Sequence, residues 1–406
     1  MKLSEELIWR GFQAETTVKD PSELDTRASK KFYWGADPSA DSLTIGNLAA
    51  AMMCACFVRH GYEPYLLVGG ATGQIGDPKD NGERDLKSIE EVAHNKKCIG
   101  EQMQQVIQAP NLTLVDNYDW FKDIKYLDFL REIGKAFSMT QLLDRQFVQA
   151  RIGEGGSGIS YAEFSYTLIQ GYDFLHLYRK YGIDLQLCGA DQFGNCSSGI
   201  HLIRRLENTS ADAWSTPLII DPASGRKFGK SEGNAIWLAS QDNGGGNFTS
   251  VFDFYQFWLG QPDSAVEYLL KIYTILDKPT IEKIMSQQTE HPELRVAQKA
   301  LARGVTEVVH GKAKADGVEK LSEKLFSREL SESELLESAE YLATAGRGTM
   351  LFDALVQTGL TNSKTEARKL AQAGAISVNS EKIREDIEIS KVALLKRGKN
   401  KFAVVK

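Results

Sequence analysis

Residues 31–70 constrain this chain more than any other stretch. Lys31-Phe32-Tyr33-Trp34 reads as a short aromatic strand that Gly35 ends. Asp37-Pro38-Ser39-Ala40-Asp41 carries turn chemistry, because proline presets φ while aspartate and serine can cap nearby N–H groups. Leu43 to Met52 is rich in alanine and other helix formers and reads as the opening of a helix that runs on to His60. Residues 64–70 then form a second, buried strand ending in glycines. A strand, a helix and a strand in so short a span imply a parallel sheet. Ligands on such sheets bind outside the carboxyl ends of the strands. A strand, a turn and a helix N-terminus also receive phosphate, since unpaired N–H groups and the helix dipole point there. Gly46, in the first helical turn, lets a group lie against the backbone. An ordinary βα turn has the same pattern, so these residues alone leave both readings open.

Further strand-end loops repeat the theme. After the second strand comes Gly69-Gly70-Ala71-Thr72-Gly73-Gln74-Ile75-Gly76-Asp77, followed by Lys79 and Arg84. It ends in no Gly-Lys-Ser/Thr, so it is not a P-loop. Asp77 could hold an ammonium group, and the cations could meet phosphate or simply be solvated. Residues 183–188 read as another strand, running into Gly189-Ala190-Asp191-Gln192-Phe193-Gly194-Asn195, where an acid suits a ribose hydroxyl. A helix is expected over 196–206 and a strand over Leu218-Ile219-Ile220. Lys227-Phe228-Gly229-Lys230-Ser231 then offers a cationic loop that can close on a polyphosphate.

One helix stands out between these loops. Tyr166, Gln170 and Asp173 fall at i, i+4 and i+7, on one polar face with apolar flanks. Unpaired polar groups in such a place cost free energy. Either a satisfied core network or a pocket for a polar small molecule accounts for them. Residues 86–150 are read as helices with one strand at 112–115. Trp120, Phe121, Tyr126, Phe129 and Leu130 form an apolar stripe expected to be core or dimer surface.

From Phe252 to about Leu325 the pattern is helical and aromatic, with Gly244-Gly245-Gly246 before it as a hinge. Residues 326–345 are rich in serine and glutamate and read as an acidic helix or linker. After Gly346 twelve basic residues stand against six acidic ones, a local excess in a chain whose net charge is -6. A small basic module on an acidic body suggests contact with a phosphate backbone. Its pattern is two helices, at 351–359 and 364–374, and short strands near 376–379 and 402–405.

At 406 residues, two or three domains are expected. No apolar run is long enough to span a bilayer, and Met1-Lys2-Leu3-Ser4-Glu5-Glu6 has no apolar core of a signal peptide, so a cytoplasmic location without membrane attachment is expected. The five cysteines, Cys54, Cys56, Cys98, Cys188 and Cys196, form no C-x-x-C pair, and no histidine is placed at ligand spacing to them. Buried free thiols are expected, with no metal site.

Taken together and in this order, these motifs resemble the class I aminoacyl-tRNA synthetases, specifically the bacterial-type tyrosyl-tRNA synthetases. Lys227-Phe228-Gly229-Lys230-Ser231 resembles the KMSKS loop. Thr44-Ile45-Gly46-Asn47 stands where the family carries HIGH. Residues 189–195 and the Tyr166/Gln170/Asp173 face are similar to the tyrosine enzymes in particular, as is Phe254-Tyr255-Gln256-Phe257-Trp258. Residues 361–370 and 374–379 resemble an S4 RNA-binding domain.

The resemblance implies an α/β fold. A Rossmann-like parallel-sheet catalytic domain would occupy 1–240, with a helical connective insertion at about 115–165. An α-helical anticodon-binding domain at 241–325, a linker at 326–346 and a small α+β S4-like domain at 347–406 would follow. It implies a tyrosine–tRNA ligase that uses ATP with Mg2+ as substrate and holds no prosthetic group. The partners would be L-tyrosine, ATP and tRNA(Tyr), in a homodimer. Tyr33 and Asp173 would bond the substrate phenol. Asp77, Tyr166 and Gln170 would hold its ammonium, and Gln192 would lie near its carboxylate. Gly35, Gly189 and Asp191 would meet the ribose, with Ile219 and Ile220 near adenine. Ser39, Thr44, Asn47, Gly46, Lys227, Lys230 and Ser231 would face ATP and its phosphates, and Lys364, Arg368 and Lys369 would contact RNA.

Two departures from the family pattern are visible. Thr44 and Asn47 replace the two histidines, and Trp34 stands where many relatives have a small residue, so it must turn away or reshape the site. A silent RNA-binding relative is favoured only by Thr44 and Asn47. The related tryptophan enzyme is disfavoured by Asp173 facing Tyr33, because indole offers a donor and no hydroxyl.

Overall fold

The computed structural model describes residues 1–77, 87–143, 146–153, 157–221, 225, 227–228, 235–327, 330–398 and 400–406. They form two compact units, one of Met1–Ala235 with Asn243–Asn247, the other of Ile236–Asp242 with Phe248–Lys406. No helix among the described residues is long and apolar enough to cross a membrane.

The first unit is built on five parallel strands: β1 (Lys31–Ala36), β2 (Glu63–Val68), β3 (Thr113–Asp116), β4 (Leu185–Gly189) and β5 (Asp212–Thr216). Their spatial order is β3-β2-β1-β4-β5. The order reverses between β1 and β4, which pair at Tyr33 with Gln186 and Trp34 with Leu187. A parallel sheet opens a crevice at such a reversal, and the loops after β1 and β4 border it. Strand alternation explains the two helical layers. Phe32 packs on Phe57 at 5.7 Å between centroids, while Tyr33, on the other face, packs on Phe174 at 5.1 Å.

The helices of this unit include α1 (Leu3–Arg10), α2 (Ile45–Arg59), α3 (Ile89–Ile107), α4 (Tyr126–Glu132), α5 (Tyr161–Tyr181) and α6 (Phe193–Glu207). α2 is buried from Leu48 to Phe57, as a helix beneath a sheet must be. α5 and α6 approach closely because Gly199 has no side chain. A Cβ there would come within 2.6 Å of the Cβ of Phe174.

Three expectations change. β1 runs through Gly35 to Ala36 rather than ending at Gly35. The fifth strand is Asp212–Thr216, not residues 218–220, where only Ile220 forms an isolated bridge with Lys227. Asp212-Ala213-Trp214-Ser215-Thr216 offers little apolar alternation, and burial against both layers decides it. Cys56 and His60 do share a helix face at i, i+4, and with Glu6 they form a group of possible metal donors. All five cysteines are free thiols, and Cys98 alone among them is partly exposed.

Glu6 ties α1 to α2. It accepts from Arg10 Nε at 2.7 Å and Arg59 at 2.8 Å, and meets His60 Nε2 at 2.7 Å. Burial alone would raise its carboxyl, but the bonds from His60, Arg10 and Arg59 pull it down from an ordinary 4.5 to about 2. A depressed carboxyl stabilises the fold fully above its unfolded value and loses that contribution as pH falls toward 2. Glu6→Gln is therefore expected to cost about 2 kcal/mol at pH 7. The gap to the wild type should close between pH 5 and pH 2 in urea titrations. A gap that stays constant over that range would refute this account.

The second unit begins with helices. Val251–Leu259, Asp263–Tyr273, Lys278–Glu290, Val296–His310 and Lys312–Ser327 pack around Phe254, Trp258, Tyr273 and Leu301. Residues read as an acidic helix or linker form the capped helix Glu332–Ser338 and the strand Ala343–Ala345. That strand edges a five-stranded sheet containing Lys401–Val405, Ala393–Arg397, Ile376–Val378 and Glu381–Lys382. Helices Leu351–Gln357 and Lys364–Gln372 contribute Leu351, Leu355, Ala367 and Ala371 to its core.

Candidate active site

The crevice side of α5 carries Tyr166, Gln170 and Asp173 as its spacing predicts. Asp173 is buried. Its Oδ1 accepts from Trp120 Nε1 at 2.9 Å and its Oδ2 from Asn117 Nδ2 at 3.1 Å. Burial pushes the carboxyl well up, although both hydrogen bonds act to lower it. The Tyr33 hydroxyl is fully buried and has no partner among the described residues. Burial raises its pKa first, and the nearby Cys196 and Asp173 add to this. A buried, unmatched phenol beside an acceptor is costly unless a guest completes it. A hydroxyl donating to Asp173 and accepting from Tyr33 would satisfy both.

Trp120 and Asn117 join the site although no motif singles them out. The spacing of Trp120 predicts an apolar stripe, yet its indole N–H is committed to Asp173. Stacking on His176, at 4.5 Å and 16°, fixes the ring in that direction. The signal was present. Asn117-Tyr118-Asp119-Trp120 follows β3, so the strand-end rule that holds for β1, β2 and β4 also points here.

Beyond the phenol end the groups become acceptor-rich. Tyr166 donates to Asp37 Oδ2 at 2.7 Å, and Thr72 donates to Asp37 Oδ1 at 2.7 Å. Asp77 Oδ2 accepts from Gln192 Nε2 at 2.9 Å, and Gln192 Oε1 lies 3.4 Å from Gln170 Nε2. Asn195 Nδ2 bridges to Gln192 Oε1 at 3.2 Å. The other amide oxygen, Gln170 Oε1, is buried with no partner among the described residues. Two carboxylates and an orphaned amide oxygen suit an ammonium group. Asp37, Thr72 and Asn195 are the additional residues here. Asp37 looked like turn chemistry, and only the fold turns its carboxylate toward α5.

The third group surrounds the N-terminus of α2. Thr44 N–H and Oγ1 both donate to Asn47 Oδ1 at 3.0 Å, so these two residues close the helix end on each other. Ser39 N–H donates to Asp37 O at 2.8 Å in the preceding loop. Gly46 faces the backbone of Phe228, and a Cβ at Gly46 would lie 2.6 Å from the Phe228 carbonyl oxygen. Phe228 is held by its N–H to Ile219 O at 3.0 Å, beside the Ile220–Lys227 bridge. The loop bearing exposed Lys227 thus rests on the helix end. Lys230 and Ser231 lie outside the described residues, as do Lys79 and Arg84.

Gly189 ends β4, and Asp191 is exposed within the short turn Ala190–Gln192 that follows. Gly35 is exposed near the end of β1, Ile219 is buried and Ile220 half exposed. Trp34 is buried on the Phe32 face of β1, opposite Tyr33 by strand alternation. On the small basic module Lys364, Arg368 and Lys369 are exposed along one helix, and Lys364 pairs with Asp353 at 2.6 Å.

Gly46→Ala is expected to push the Phe228 backbone off the helix end, because a backbone oxygen cannot yield as a side chain can. The protein should lose about 1–3 kcal/mol of stability in urea unfolding. An unchanged midpoint would show that the Phe228 backbone yields freely.

Residues 26–327 match the family model described as "tRNA synthetases class I (W and Y)". Residues 333–406 match the model for the tyrosine–tRNA ligase SYY-like C-terminal domain. A tyrosine–tRNA ligase of Latilactobacillus sakei is 37% identical over 417 residues, covering 98% of this chain and 97% of the relative. The chain belongs to the tyrosine–tRNA ligase family. A Bacteroides fragilis tyrosine–tRNA ligase is 38% identical, covering 100% of this chain and 99% of the relative. A C-terminally truncated mitochondrial tyrosyl-tRNA synthetase of Aspergillus nidulans superposes with a TM-score of 0.69 at 30% identity. It covers 80% of this chain, which covers 94% of it. Membership in the tyrosine–tRNA ligase family agrees with the α/β class and with the parallel sheet described above.

Proposed function

We infer that this chain is a tyrosine–tRNA ligase acting in two steps. The carboxylate of L-tyrosine attacks the α-phosphate of ATP, taken as its Mg2+ complex, and pyrophosphate leaves. A ribose hydroxyl at the 3′ end of tRNA(Tyr) then attacks the carbonyl carbon of the tyrosyl-adenylate, forming the ester and releasing AMP. The observation that carries this reading is the orphaned Tyr33 hydroxyl beside an Asp173 carboxylate held by Asn117 and Trp120.

Asp37, Asp77, Tyr166 and Gln170 hold the substrate ammonium, and Gln192 lies beside its carboxylate. Gly35, Gly189 and Asp191 take the ribose, and Ile219 and Ile220 border adenine. Ser39, Thr44, Gly46, Asn47, Lys227, Lys230 and Ser231 hold and neutralise the phosphates. Displacement at phosphorus needs mostly positioning and charge, which a helix N-terminus and lysines supply.

The assignment extends to the whole chain: catalytic at 1–240, anticodon-binding at 241–325, linker at 326–346 and S4-like at 347–406. Lys364, Arg368 and Lys369 contact RNA phosphates. Exposed Leu114, Tyr118, Tyr126, Leu127, Met139 and Tyr161 support a homodimer through the helices of 115–165. The location is the cytoplasm.

The test is ATP–pyrophosphate exchange without tRNA, with tyrosine, phenylalanine and tryptophan compared. Exchange is expected with tyrosine alone. Exchange with tryptophan would reassign the pocket. No exchange from folded protein that still binds tRNA would favour the silent RNA-binding reading that the mutual closure of Thr44 and Asn47 motivates.

A further inference from the structure

Besides Asp37, which takes bonds from Tyr166 and Thr72, the loop between β1 and α2 is fastened at three further points among the described residues. Two come from α3. Asn95 Nδ2 donates to Pro38 O at 3.1 Å, and Gln102 accepts from Leu43 N–H at 2.8 Å while donating to Ser42 Oγ at 3.2 Å. The third comes from the glycine-rich strap Asn243–Asn247. Gly245 N–H donates to Asp41 Oδ2 at 2.9 Å, and Asn247 Nδ2 donates to Asp41 Oδ1 at 2.7 Å. Asn243 Nδ2 also reaches Asp41 O at 3.4 Å. Asp41 is only 2% exposed, and among the described residues both carboxylate oxygens take their bonds from the strap.

The strap is shaped for this contact. Gly244 and Gly246 hold φ of 108° and 71°, in the region that favours glycine. A Cβ at Gly245 would lie 2.7 Å from Asp41 Oδ2, so only glycine lets the backbone come this near. Strap and loop together wall a cavity of about 600 Å³ that also has Ser39, Lys87 and His94 on its lining. A buried carboxylate three residues before Thr44 is thus matched by a segment distant in sequence. The α3 attachments belong to a regular helix. The strap attachment is made by a segment with no regular structure.

We propose that Asp41 is a positioning residue for ATP, a latch through which the strap holds residues 39–44 of the loop against the N-terminus of α2. This rests on the reading of that loop as the phosphate site. On the tyrosine side, Asp37 is held by Tyr166 and Thr72 rather than by the strap, and Tyr33, Gln170, Asp173 and Gln192 bond neither Asp41 nor the strap among the described residues, so the latch acts mainly on ATP.

The test uses the full chain and compares Asp41→Ala, Asn247→Ala and the double variant in tyrosine-dependent ATP–pyrophosphate exchange. Losing bonds to a buried charge should raise KM for ATP about tenfold in Asp41→Ala and about threefold in Asn247→Ala. KM for tyrosine should stay within about twofold. The double variant should be no worse than Asp41→Ala, because both changes remove one contact. An unchanged KM for ATP, equal rises for both substrates, or additive effects would overturn the latch. Where Asp41→Ala does not fold, Asn247→Ala decides. A wild type without tyrosine-dependent exchange overturns the catalytic reading and the latch with it. An active wild type with unaffected variants overturns the latch alone.

Discussion

Asp173→Ala is expected to lower kcat/KM for tyrosine by roughly 10²- to 10³-fold, the equivalent of losing one or two hydrogen bonds to a charged group. Phenylalanine, which has no hydroxyl to place there, should change by no more than about threefold. The reason lies in what Asp173 already does. Trp120 and Asn117 use one lone pair on each oxygen, which fixes the carboxylate and leaves the remaining acceptor capacity for the guest. Alanine would remove the acceptor and also strand two donors, so a loss of stability accompanies the loss of recognition. Trp120→Phe separates the two effects. It keeps the ring against His176 but removes the N–H, and should raise KM for tyrosine with little change in kcat. Steady-state exchange kinetics with both amino acids decide the matter. Equal losses for tyrosine and phenylalanine in Asp173→Ala would remove Asp173 from the specificity role.

The second large effect concerns the start of α5. Arg151 makes two parallel bonds to Glu163, Nη1 to Oε1 at 2.9 Å and Nη2 to Oε2 at 3.0 Å, with both side chains 3% exposed. Arg151 Nε also donates to Gly158 O at 2.7 Å, and Ser160 Oγ caps the helix by accepting from Glu163 N–H at 3.2 Å. Arg151→Ala leaves a buried carboxylate with no counter-charge among the described residues and is expected to cost about 3–5 kcal/mol. Replacing the pair with Met at 151 and Leu at 163 should recover most of that loss, since apolar packing substitutes well for a buried ion pair. Because Tyr166, Gln170 and Asp173 follow on the same helix, the single variant should also bind tyrosine less tightly. Urea unfolding of the three proteins measures the first claim. A single-variant loss below about 1 kcal/mol would show that water reaches the pair.

The two effects differ in how far the sequence could have revealed them. Asp173 stood out because its i, i+4, i+7 spacing with Gln170 and Tyr166 is local, and helical geometry converts spacing directly into a shared face. Arg151 and Glu163 carry no such mark. Twelve residues separate them, and a loop whose path the sequence does not specify brings them together. The same contrast holds around the pocket. Asp77, Gln170 and Gln192 were legible as polar residues at strand ends or on the helix face. Asp37, Thr72, Asn117 and Trp120 were not, because each joins through a partner at least 35 residues away.

Local sequence was enough for the parallel sheet around residues 31–70, the helices that follow its strands, the basic module after Gly346 and the order of the loops that carry chemistry. These follow from short-range rules: alternation, helical period, turn residues and local charge. Tertiary structure alone decided that Asp212–Thr216 rather than 218–220 completes the sheet. It also decided that Trp120 serves Asp173 and that a glycine strap two hundred residues downstream satisfies Asp41. The physical reason is common to all three. A buried polar group or a strand edge must find a partner, and which partner is available depends on how the whole chain packs rather than on its neighbours in sequence.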